Sequence, residues 1–112
     1  GDSAQKVQEI LAEFEVSAAP ALADIVGVIK YCPTPEGKGV HMVLNTPTGP
    51  LTVIYMPETA VTDRQTLAFD DVEAMLVGLK NGSAVIIGAS RGGVQEYYAL
   101  VQQSIVPSPG SS

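Results

Sequence analysis

The chain has 112 residues, 46% of them hydrophobic and 16% charged, which suits one core and leaves little room for a second domain. Twelve acidic residues against six basic ones give a formal net charge of -6, which argues against nucleic acid as a partner, because that binding needs clustered Lys and Arg to neutralise phosphates. One cysteine forms no internal disulfide, and no apolar run approaches the roughly 18 residues of a membrane-spanning helix.

Residues 3–16 place Val7, Ile10, Leu11 and Phe14 at spacings of three and four, which predicts an amphipathic helix. Ser17-Ala18-Ala19-Pro20 ends it, since proline disfavours helical geometry in the residue before it, and a short helix is expected over 20–24. The Val- and Ile-rich stretch 25–32 predicts a strand closed by the turn formers of 33–37. A second strand over 40–46 alternates Val40, Met42 and Leu44 with His41, Val43 and Asn45, and a third runs over 51–56 after Pro47-Thr48-Gly49-Pro50.

The polar stretch 58–71 is expected to be a surface loop holding a short strand at 67–69. Residues 72–79 and 84–87 read as two arms of a hairpin around Asn81-Gly82, a two-residue turn signal. Val94, Tyr97, Tyr98, Val101 and Ile105 mark a closing amphipathic helix. The fold expected is α+β: an antiparallel β-meander of about five strands packed against an N-terminal and a C-terminal helix. The domain is expected to span 1–106, with residues 107–112 as a disordered tail.

Cys32 and His41 are the one cysteine and the one histidine, and the hairpin brings them near each other. A histidine beside a thiol lowers its pKa, the basis of a redox switch or a covalent nucleophile. The plainer reading makes Cys32 a small packing residue and His41 a half-buried strand residue, since no third group is recognisable to orient the imidazole. Two ligands also fall short of a zinc site, so no metal or other cofactor is expected.

Ser90, Arg91, Gly92 and Gly93 join a strand to a helix, a place where backbone N–H groups cradle anions. The spacing fits neither the dinucleotide fingerprint nor the P-loop, and a flexible turn with Ser90 or a glycine near the N-cap is the favoured reading. Asp70-Asp71 reads as a solubilising pair, and Asn81-Gly82-Ser83 as a hairpin tip despite matching the glycosylation sequon. No serine triad is recognisable.

Tyr31-Cys32, then Gly39-Val40-His41-Met42-Val43-Leu44, Gly49-Pro50-Leu51-Thr52-Val53-Ile54 and Met56-Pro57 carry a resemblance. The pattern resembles the C-terminal domain of a bacterial family of uncharacterised single-pass membrane proteins, some of them anti-sigma-factor-like. The resemblance covers roughly residues 5–106, with no matching motif in 58–71. It implies a domain in the periplasm, anchored to the inner membrane by a helix upstream of this chain, with Cys32 and His41 as the matching polar positions.

The leading expectation is therefore a non-enzymatic sensory or protein-interaction domain of a membrane-anchored regulator, with an unidentified protein partner. The rival is a thiol-based redox switch or enzyme using Cys32 activated by His41. A third reading is a homodimer that pairs sheet edges or links Cys32 to Cys32.

Overall fold

The computed structural model describes residues 2–90 and 92–109. It is α+β, with helices at both ends of the chain and an antiparallel sheet between them. Helix α1 is Asp2–Ala12, strand β1 is Val16–Ala18 and helix α2 is Pro20–Ala23. Strands β2 (Val26–Thr34), β3 (Gly37–Thr46) and β4 (Gly49–Met56) follow as consecutive hairpins. Strands β5 (Gln65–Phe69), β6 (Val72–Gly78) and β7 (Ser83–Ala89) form a second hairpin series. A 3₁₀ turn at Val94–Tyr97 leads into α3 (Tyr98–Ser104), and β8 is Ile105–Pro107.

The main sheet has six strands in the order β2-β3-β4-β7-β6-β5, and β1 pairs with β8 in a separate two-stranded sheet. The strand count thus exceeds the five expected, and the order is two meanders rather than one. After β4 the chain crosses to the far edge, runs β5 and β6 inward, and pairs β7 against β4. The loop 57–64 makes that crossing.

Alternation decides which residues enter the core. Val40, Met42 and Leu44 of β3 and Leu51, Val53 and Tyr55 of β4 share one face and are buried, as are Met75, Val77, Ala84 and Ile86 from β6 and β7. Val7 and Leu11 of α1 and Val94 and Val101 from the C-terminal segment close over them. Gly88 makes room for that closure, because a Cβ there would collide with the side chains of Leu51 and Val94.

The first helix ends four residues before the periodicity predicts. Glu13, Phe14 and Glu15 close back on the carbonyls three residues earlier, and Glu15 takes φ 61, a left-handed step that turns the chain. Phe14 then meets the Tyr55 ring edge-on at 6.2 Å, and Val16 enters β1 opposite Pro107. The last helix is also shorter than expected, since Ile105 opens β8. Of the tail expected over 107–112, Pro107 lies in β8 and the Ser108 N–H donates to the Glu15 carbonyl at 2.9 Å, while 110–112 lie outside the described residues.

The β6–β7 hairpin turns at Lys80–Asn81 rather than at Asn81–Gly82. The Leu79 N–H donates to the Gly82 carbonyl at 3.1 Å, and Gly82 takes φ +84 packed against the Met56 and Pro57 backbone. No helix among the described residues is long and apolar enough to cross a membrane.

Candidate functional site

Register puts Lys30 opposite His41 and Cys32 opposite Gly39. Cys32 and His41 are therefore diagonal neighbours on the same sheet face, at a spacing of about 7 Å typical of such pairs. The hairpin turn that the Pro- and Gly-bearing stretch forms is what sets this register, locked by the Thr34 hydroxyl donating to the Gly37 carbonyl at 2.6 Å.

The chemistry of the pair is muted. Burial pushes the Cys32 thiol above its ordinary pKa, and the nearby Lys30 ammonium pulls it down by less. His41 Nε2 is buried without a hydrogen-bond partner, so no carboxylate or carbonyl orients that nitrogen for base work. Beside Cys32 an open hollow of about 500 Å³ is lined by Tyr31, Cys32, Pro33, Thr34, Gly37 and Lys38. Lys38 sits over the Tyr31 ring at 3.9 Å and reaches Glu13 at 3.9 Å, so its charge is already shared. No three His, Cys, Asp or Glu gather as metal ligands among the described residues.

The candidate anion loop is committed to internal bonds. The Ser90 N–H donates to the Asp71 carbonyl at 2.9 Å and the Gly92 N–H to the Ala89 carbonyl at 2.7 Å, so neither is free for an anion. Gly93 precedes the 3₁₀ turn in a left-handed conformation, and the carboxylates of Glu73 and Glu96 line the adjoining hollow, which repels negative charge. Arg91 lies outside the described residues.

What the structure does assemble is a surface. The sheet face opposite the helices carries Val28 and Lys30 from β2, His41 and Val43 from β3, and Thr52 and Ile54 from β4. It continues through Val85 and Ile87 of β7, Ala74 and Leu76 of β6, and Leu67 and Phe69 of β5. Among the described residues no helix covers it, and the loop 57–64 lies over one end, where the Val61 carbonyl occupies the place a Cβ on Gly78 would take. Val28, Leu67, Phe69 and Val72 are among the large apolar side chains left exposed, Phe69 at 75%. Lys30 is the one charged side chain among the strand positions of this face.

An antiparallel sheet with one solvated face ordinarily presents polar residues there. Cys32 and His41, the residues that stand out in the sequence, lie at one end of this face, and its apolar remainder is not among the expected features. The signal was present in the unbroken runs 84–87 and 74–77, which mark strands apolar on both faces rather than alternating. No family model, curated protein or solved structure matches the chain.

Proposed function

We propose that this is a non-enzymatic protein-interaction domain that docks a partner protein on the open face of its six-stranded sheet, with Cys32 and His41 at one end of the contact. The observation that carries this reading is the near absence of charge on an uncovered sheet face in a chain of net charge -6. Contiguous apolar patches of that kind mark interaction sites, because water alone makes them costly. The raised thiol and the unpartnered imidazole nitrogen weigh against chemistry at Cys32.

The resemblance carried by the Cys32 and His41 motif adds that the domain is the periplasmic, sensing end of an inner-membrane, anti-sigma-factor-like regulator. That part of the reading rests on the sequence motifs alone. The test is site-specific photo-crosslinking in the full-length protein in its own membrane, with the probe at Val43 or Val85 on the open face and at Gln102 on α3 as control. A discrete adduct with another protein from the two face positions and none from Gln102 is the expected result. Equal labelling from all three positions, or none, removes the docking surface.

A further inference from the structure

The segment 57–64, which carries the chain from β4 to β5, rests on one end of the open face, and two glycines show where it is seated. A Cβ on Gly78 would run into the Val61 carbonyl, and one on Gly82 would run into the backbone of Met56 and Pro57. Gly78 and Met56 are the two register partners of Ser83. Ser83 has the strand parity of Val85 and Ile87, so its side chain belongs to the open face. Unlike those two it is fully buried, because the stretch from Pro57 to Val61 passes over it.

That cover is poorly bonded. The Ser83 hydroxyl under the segment and the Thr59 hydroxyl within it are both buried without a hydrogen-bond partner. Among the described residues, the hydrogen bonding of 57–64 is confined to one local bond, from the Thr59 N–H to the Met56 carbonyl at 3.3 Å, and none ties the segment to β6 or β7. Its ends are held, Pro57 by packing on Gly82 and Arg64 by the Tyr98 ring at 4.8 Å, while residues 58–63 between them are half-buried or exposed. Closure desolvates two hydroxyls with no bond in return and fixes the backbone of 58–63, so little beyond the packing of Val61 opposes release. Gly78 is what permits closure, since a side chain there takes the place of the Val61 carbonyl.

We infer that 57–64 is a strap that lifts from the sheet while the rest of the domain stays folded. Closed, the open face ends at the row Ile54, Val85 and Leu76; lifted, it gains the next row, Met56, Ser83 and Gly78. The strap therefore competes with a protein docked on that face. This consequence rests on the docking reading; the lifting does not.

Thiol trapping tests the lifting. In a Cys32→Ser background, Ser83→Cys sets the one thiol under the strap, and Ala84→Cys sets it one residue on, equally buried but on the core face. The Ser83→Cys variant reacts with an aromatic disulfide reagent about a hundredfold or more faster than the Ala84→Cys variant, whose labelling waits for global unfolding, and low urea does not change its rate. Gly78→Ala wedges the strap away and raises the Ser83→Cys rate about tenfold, whereas Thr59→Val removes an unpaired hydroxyl and lowers it. Equal rates for the two thiols, a Ser83→Cys rate that climbs with urea in step with the unfolding of the same variant, or a rate that Gly78→Ala does not raise overturns the strap.

In the full-length protein in its own membrane, Gly78→Ala strengthens the adduct formed from the probe at Val85. A strap that lifts in the labelling assay beside an adduct that Gly78→Ala leaves unchanged overturns the competition. No adduct in any variant removes the docking surface and leaves the strap standing.

Discussion

Cys32 owes its character to two influences acting in opposite directions. Partial burial at the hairpin disfavours the thiolate and raises the pKa, while Lys30, two residues back on the same face, lowers it by a smaller amount. The sign of the outcome decides reactivity, because only the thiolate attacks an electrophile. The iodoacetamide rate is therefore expected to rise with pH through a midpoint above the ordinary thiol value of about 8.5, and to keep that midpoint in His41→Ala. A midpoint below about 8.5 that moves up when His41 is removed would restore the activated-thiol reading. The proximity of Cys32 and His41 was legible in the sequence, since a single tight turn at 33–37 leaves few registers for the flanking strands. The damping was not, because the partial burial of Cys32 depends on how the side chains of its own hairpin close around it, which spacing along the chain does not give.

At the scale of elements, α1 does more than cover the sheet. The Gln8 side-chain amide donates to the Ala18 carbonyl at 2.6 Å and accepts from the Ala18 N–H at 3.0 Å, completing both backbone groups that β8 does not reach. The helix, β1 and β8 are thereby tied together, and the two ends of the domain close on one another. Gln8→Ala leaves a buried donor and acceptor unpaired and is expected to cost about 1–3 kcal/mol in chemical denaturation, with faster amide exchange at Ala18. A loss below about 0.5 kcal/mol with unchanged exchange sinks the assigned role. None of this linkage was visible along the chain. Apolar spacing at Val7, Ile10, Leu11 and Phe14 announced the helix and its buried stripe, but Val16 to Ala18 form a strand only because Ile105 to Pro107 arrive beside them. The core face of β3 and β4 was legible from alternation, whereas β5 gained two residues over expectation because β6 lies alongside the whole of Gln65–Phe69.

The molecule as a whole has two apolar sheet faces and closes one of them. Ile86 and Ile87 are consecutive residues of β7 that point to opposite faces, so one chemical deletion at two adjacent positions compares the faces directly. Ile86 is fully buried and pairs with Val53 and Met75, whereas Ile87 sits half-buried between Thr52 and Ala74 with no helix or strand above it among the described residues. Ile86→Ala removes packing on all sides and leaves a cavity, for an expected loss of about 3–4 kcal/mol. Ile87→Ala removes atoms that still touch water and is expected to cost about 1 kcal/mol. If the open face serves a partner, Ile87→Ala in the full-length protein also weakens the crosslink formed from Val85, while the isolated domain stays folded. Equal losses at the two positions in urea denaturation of the isolated domain show that Ile87 belongs to the domain's own core. In that case the uncharged face is a structural layer, and the docking surface is withdrawn with it.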